Sequence, residues 1–512
     1  MAALLHSWRY FFAFIALIGL VGLFYFEENW RGTRRWEKYK AEQEARGERF
    51  DASAFVPPVV PPSENFAMTP LLSPLFDFIP GTQKWRNTNA LAYASGFAPE
   101  YDRAARAAKA IKSTRSNSWL TTEIDLMAWS AAYLQSTNGI NQPVDSVGRK
   151  EAAEVVLANL AECSDVLQEL QESSKRKYSR FNLRYNNDDP AAILLPHLAV
   201  LKHICQILQL RATAELAVGK RAEAFTDINV MFRVAESSRG EPILISQLVR
   251  LPMLYMALEP IAGGFGQWSE PELKTFQEQL QRLDFCADMK RSLGAERVLF
   301  GGGIIEFLRR EPDKFEALSG DGKFPGAVWS AVPNGWFDLE KVNYSRFFDE
   351  LVMPSIDVAN RRITPSACKE AEGRITGVLG KTQVRLFLQH RAFCSLLVPG
   401  TLTLARKTAF GQTAADTAGI ACAVERFKLA KGKLPESLGE LAPQFMERLP
   451  HDVITGQSLK YIRTEDGHYA IYSVGWNEKD DGGVAGFKRG EADVPVKMGE
   501  NDVPQEGDWV WR

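Results

Sequence analysis

"SLKYIRTEDGHYAIYSVGWNEKDDGG", residues 458 to 483, decides how the end of this chain is read. Apolar and polar residues alternate on both sides of Asp466-Gly467, a dipeptide suited to the positive φ angles of a tight turn, so the stretch predicts a β-hairpin. The second strand runs out into "YSVGWNEKDDGG", residues 472 to 483, where an amide and three carboxylates lie among glycines. A metal loop and a solvated turn both fit that composition. Residues 476 to 512 carry nine acids against five bases, the usual character of an exposed terminus.

Upstream, Ile420, Val424 and Phe427 fall at i, i+4, i+7 within residues 408 to 430. Asp416, Glu425, Arg426 and Lys428 take the other faces, which predicts an amphipathic helix ended by Gly432. "LPESLGELAPQFMERLPHD", residues 434 to 452, then gives a short helix bearing Leu438, Leu441 and Phe445 between Pro435 and Pro450.

This succession of helix, proline-bounded helix, hairpin and acidic glycine loop resembles the globular head of the major pseudopilin of type II secretion systems. The resemblance rests on "TAADTAGIACAVERFKLAKGKLPESLGEL", "RLPHDVITGQSLKYIR", "YAIYSVGWNEKDDGG" and the later "GEADV". It implies a small α+β domain over residues 404 to 512 whose last loop is held by a structural calcium ion. Position by position, the implied oxygen donors are Asn477, Asp481 and Asp493, with Asp480 and Asp508 as further candidates. Calcium takes six to eight oxygens from carboxylates, amides and carbonyls, so the residue types suit it.

At the other end, "YFFAFIALIGLVGLFYF", residues 10 to 26, is seventeen residues without a charge, at the short end of what spans a bilayer. Trp8 and Trp30 flank it as interfacial aromatics do. A cleaved signal peptide is the rival reading, but "LFYFEENW" puts bulky aromatics and acids where a cleavage site needs small residues. A single-pass anchor over residues 8 to 28 is therefore expected. Arg31, Arg34, Arg35, Lys38 and Lys40 follow the span and Arg9 precedes it, a bias that alone favours a cytoplasmic body. A calcium-held head points the other way, to an extracytoplasmic body on the inner membrane.

Residues 29 to 66 read as a solvated juxtamembrane helix followed by a stalk, because the paired prolines of "FVPPVVPPSENF" force extended backbone. Residues 67 to 403 read as a helical body, with α-solenoid packing as one arrangement it allows. Val156, Leu160, Cys163, Leu167 and Leu170 form one apolar stripe, and Leu198, Leu201, Cys205, Leu208 and Ala212 another, with His203 beside it. Gly219 predicts a break between two helices in a tetratricopeptide-like stretch, and Ser269 with Glu272 predicts a capping box. Within the body, "SGDGKFPGAVWSAVPNGWFD", residues 319 to 338, is irregular, its aromatics either a binding lip or a plug. "GGG" at 301 to 303 reads as a helix break or a close packing point.

Composition narrows function by exclusion. Sixty-one Lys and Arg against sixty-three Asp and Glu give no field for nucleic acid. Six scattered cysteines form no metal or redox pattern and read as small buried hydrophobes. HExxH, Walker, GxSxG and GxGxxG motifs are missing. The expected protein is mainly α: a membrane anchor, a helical body and a small α+β head, acting as a structural or interaction module of the cell envelope with protein partners. Two alternatives are an anchored hydrolase with its site near residues 313 to 340 and a tetratricopeptide-like peptide-binding scaffold.

Overall fold

The computed structural model describes residues 2–108, 124–139, 144, 147–185, 189–315, 326–398, 402–464, 467–485, 503 and 505–511 of the chain. The fold is mainly helical, with small antiparallel sheets toward the C-terminus.

Helix α1, Ala2–Glu44, is continuous through the apolar run and the charged segment after it. At about 1.5 Å per residue it is about 65 Å long, enough to cross a bilayer and continue well beyond it. Its most apolar window has a mean hydropathy of 2.0 and none of it is buried against the rest of the chain. The segment Pro190–Ala217 also has the length and hydropathy to span a membrane, but 44% of its window is buried, as befits a core helix.

That core helix, α2 (Pro196–Ala217), packs on α3 (Arg221–Ser237) and α4 (Leu244–Gly263), and α3 also packs on α4. Pro196 occupies the first turn of α2, where its missing N–H costs nothing. Gly219, at φ +80°, makes the expected turn into α3. α5 (Glu270–Gln281) opens on the expected capping box, with the Ser269 N–H donating to Glu272 Oε2 at 2.7 Å. α6 (Phe285–Ala295) follows and runs into a π-helical turn over 296 to 302. The triple glycine is therefore helical, and it serves close packing: a Cβ on Gly301 would collide with the Tyr344 ring.

Two further helices organise the chain. α7, Asn334–Phe347, lies against the second half of α1, and α8, Leu402–Lys431, crosses the core. α8 packs on α4, α5 and α6, on the helix Pro365–Leu379, and on strands of both sheets. It was expected to be amphipathic, yet Asp416, Glu425 and Arg426 are buried. The reason is local pairing: Arg361 reaches Asp416 at 2.6 Å, and Arg426 reaches Glu270 at 2.7 Å. The polar face of α8 thus meets the helical body, and the C-terminal sheet is continuous with that body through it.

The small sheet pairs β1 (Ile356–Asp357) with β2 (Arg362–Ile363). The C-terminal sheet has the order β3 (Lys460–Arg463), β4 (Tyr469–Ser473), β5 (Trp509–Trp511), antiparallel throughout. Lys460 opposes Tyr472 and Arg463 opposes Tyr469, so the expected hairpin forms, but its register is one residue off the one a two-residue Asp466-Gly467 turn would set, and Ile471 opposes Trp511. All six cysteines are buried and unpaired, as their positions on apolar stripes suggested.

Candidate functional site

The acidic loop leaves β4 at Val474 and is braced by one carboxylate. Asp508, next to β5, is fully buried and accepts the N–H of Gly483 at 2.6 Å and of Asp481 at 3.1 Å. Its own N–H donates to the Val484 carbonyl at 2.9 Å. Gly475, at φ +72°, passes so close to the Gly507 carbonyl that a Cβ there would collide with it. Burial pushes the Asp508 carboxyl above the usual carboxylate range, against the pull of the two N–H donors.

The residues named as calcium donors are spread around this brace. Asn477 Nδ2 donates to Asp481 Oδ2 at 2.9 Å, and Asn477 Oδ1 accepts the Lys479 N–H at 3.1 Å. Asp480 accepts the Gly482 N–H at 3.1 Å and the Tyr472 hydroxyl at 3.2 Å, and faces Lys460 at 3.3 Å. The Gly482 N–H is the main reason its carboxyl lies below the usual range. Asn477, Asp480 and Asp481 therefore share one loop and Asp508 meets it from beside β5, with several oxygens already engaged by N–H groups. Asp493 lies outside the described residues. Among the described residues, no three His, Cys, Asp or Glu side chains form a group suited to a metal ion.

A second buried carboxylate in this region, Asp452, accepts the Ser473 hydroxyl at 2.8 Å and the Ile454 N–H at 2.9 Å. Sequence reasoning gave it no role. Its position directly after "LPH" and before an apolar pair is the local signal of an Asx turn.

The described part of the segment expected to be irregular, residues 326 to 338, is a helical turn at Gly326–Ser330 and the start of α7, and its aromatics form a plug. Trp329 and Phe337 are buried, Trp329 stacks on Phe315 at 4.8 Å, and Phe387 and Phe393 close the cluster edge-on at 5.3 Å. Residues 316 to 325 lie outside the described residues. Deeper in the body, Arg250 is buried between Asp288, at 2.8 Å, and Glu236. His197 Nε2 sits 2.8 Å from Glu241 Oε1 and stacks on Phe181. His203 packs edge-on against Phe97 and Tyr101, and burial pushes its imidazole below the usual value. These groups are neutralised by neighbours or packed by rings, as buried charge and polarity require.

The densest constellation that sequence reasoning missed is the junction between α1 and α7. Gly32 and Gly335 let the two backbones touch, since a Cβ on either would collide with the other helix. Asn29 Oδ1 accepts the Gly335 N–H at 2.8 Å, so α1 caps one of the orphan donors at the start of α7. Trp336 donates its indole N–H to Glu28 at 2.9 Å, and Thr33 its hydroxyl to Asp338 at 3.1 Å. Tyr25 bonds to the Ala331 carbonyl and Tyr39 to Asp349. Just past α1, Glu48 meets the buried Arg297 at 2.6 Å, and Arg297 also pairs with Asp349.

α7 brings its own buried charge to this junction. Lys341 lies 2.9 Å from Asp338 and 4.6 Å over the Trp36 ring. Burial raises the Asp338 carboxyl, but Lys341 and Arg309 outweigh it and hold the group below the usual range. Glu340 accepts the N–H groups of Ala392 and Phe393 at 3.0 and 3.1 Å, and burial pushes it up to about 8. The segment after α1 is bonded to the body as well: the Phe66 N–H reaches the Tyr178 carbonyl at 2.8 Å, and Arg180 reaches the Pro57 carbonyl at 3.0 Å. The helix expected to be solvated and the stalk expected to stand clear are thus both laid against the body. Buried partners hundreds of residues away outweigh the local polarity that suggested otherwise.

No protein family matches the chain, and no curated protein or solved structure matches it either.

Proposed function

We propose that this chain is a single-pass envelope protein of the inner membrane, acting as a structural or interaction module. Its helical body and pseudopilin-like head are held at the extracytoplasmic face by α1. The observation that carries the reading is that α1 is one uninterrupted helix whose second half, from Tyr25 onward, is bonded into the body. A cut of α1 near Phe26 would interrupt a continuous helix and remove the Tyr25 bond to Ala331, while Glu28, Asn29 and Thr33 lie after the cut and would keep their partners. The aromatic plug at Trp329 and Phe337 favours an interaction module over a hydrolase sited there. A three-stranded antiparallel sheet packed on the long helix α8 supports the pseudopilin-like reading of the head.

Orientation has its own test. Val59 is 84% exposed while all six natural cysteines are buried, so Val59→Cys offers one reactive thiol. An impermeant maleimide should label it in cells whose outer envelope has been permeabilised. Labelling only after the inner membrane is broken places the body in the cytoplasm, where the basic residues after the span would put it. The calcium reading, with Asn477, Asp480, Asp481 and Asp493 as donors, is tested by melting the full chain with and without millimolar calcium. A raised midpoint supports it and an unchanged one removes it.

A further inference from the structure

On the solvent side of the α1–α7 junction lies a cavity of about 480 Å³ whose lining includes Arg35, Lys38 and Glu42 of α1, Arg346 of α7, and Gln389 and His390. Three cations against one acid line it, and the acid is partly committed, 3.8 Å from Lys38. Arg35 and Arg346 have no carboxylate partner among the described residues; Arg346 lies 5.8 Å over the Tyr39 ring.

The back wall is polar and constrained. Gln389 Oε1 and His390 Nδ1 are buried atoms without a hydrogen-bond partner. His390 adopts φ +54°, a left-handed conformation that a non-glycine residue holds only when its surroundings impose it. The C-terminal cap of the helix Gln383–Leu388 imposes it here, with the Arg391 N–H donating to the Leu386 carbonyl at 2.8 Å and the His390 N–H to the Phe387 carbonyl at 3.0 Å, and Asn343 adds bonds to the carbonyls of Gln389 and His390 at 3.2 and 2.7 Å. Burial, with help from Arg31 and Arg35, pushes the His390 imidazole down to about 4, so at neutral pH it adds a polar atom and no charge.

Position supplies the ligand's source. Arg35 follows Phe26 by nine residues, about 14 Å along the helix axis, and side chains of an α-helix tilt back toward its N-terminus, here toward the apolar span. The polar headgroup layer is about 5–8 Å deep on each side of a bilayer. A long cationic side chain on this turn of α1 therefore reaches back to the level of lipid phosphates.

We propose that this cavity binds the phosphate of an anionic glycerophospholipid, with Arg35 and Arg346 holding the phosphate oxygens, Lys38 adding to the positive field behind them, and a headgroup hydroxyl donating to Gln389 Oε1. The proposal rests on α1 being a retained anchor. The bound lipid ties α1 to α7 across the face that their direct contacts leave open.

The test uses the full chain in a neutral maltoside detergent. Short-chain phosphatidylglycerol should raise the melting midpoint, while phosphatidylcholine at the same concentration should not. Arg35→Gln with Arg346→Gln, both at exposed positions, should leave the lipid-free midpoint unchanged and weaken phosphatidylglycerol binding by about twenty-five-fold, about fivefold per cation. An equal shift with phosphatidylcholine, or an undiminished response in the double variant, overturns the proposal. Glycerol phosphate in solution matching the lipid's effect overturns the lipid assignment in favour of a soluble phosphate. Failure of the anchor reading shows separately, as release of the chain from membranes by alkaline carbonate.

Discussion

The two ends of the chain are fastened by opposite means. At the α1–α7 junction, backbone meets backbone through two glycines, and side chains from residues 306 positions apart complete each other's hydrogen bonds. In the C-terminal head, carboxylates on the chain itself, Asp508 and Asp452, gather N–H groups within a few tens of residues. The first device is steric and tolerates no added atom; the second is electrostatic and depends on charge state.

The sharpest break in that comparison is Gly335→Val. Its side chain meets the Glu28 backbone, which cannot yield as a flexible side chain would, and a loss of about 3 kcal/mol in stability is expected. Thermal unfolding of the detergent-solubilised chain measures it, and faster hydrogen exchange confined at first to α1 and α7 locates it. Next comes Asp508→Asn, which keeps the shape of the head brace and removes its charge. Two charge-assisted bonds weaken, for an expected loss of about 2 kcal/mol by chemical denaturation, with the junction's exchange unaltered.

A third variant separates the two ends by pH. Glu340 belongs to the junction, and its folded value of about 8 exceeds the ordinary 4.5. The folded state therefore keeps this proton while the unfolded state releases it. Stability from this group is full below about 4.5 and is lost as pH rises toward about 8. Glu340→Gln should lessen the fall of the melting midpoint across that window, to which Glu296 and Asp416 also contribute, and change it least near its acidic end. The smallest effect belongs to Lys460→Ala, which opens an ion pair with Asp480 that is nearly half exposed on both sides. A cost of about 0.5 kcal/mol or less is expected.

How much of this was legible in the sequence follows from the same contrast. Local devices were: the existence of the hairpin, the turn at Gly219 and the capping box at Ser269 each depend on residues close in the chain, whereas the register of the hairpin was not. Strand β5 was not, because "WVW" is three residues inside an acidic tail and becomes a strand only by pairing with β4. The acidic loop was found, but its brace ranked last among the candidates. Asp508 lies 25 residues beyond Gly483, and nothing in that spacing foretells the contact. The junction was illegible: Gly32 sits in a charged helix with the pattern of a solvated one, and its partner in an apparently irregular stretch. Likewise the buried charges of α8 look like a polar face until Arg361 and Glu270 arrive from other helices.

A retained α1 that is both anchor and part of the fold leaves a covalent trace in the mature protein. Peptide mapping by mass spectrometry of the mature protein, fractionated into membrane and soluble pools, tests it most directly. The protein is expected in the membrane pool, with every molecule carrying residues 10 to 44 on one peptide chain. A soluble protein whose N-terminus begins after Phe26 would contradict it.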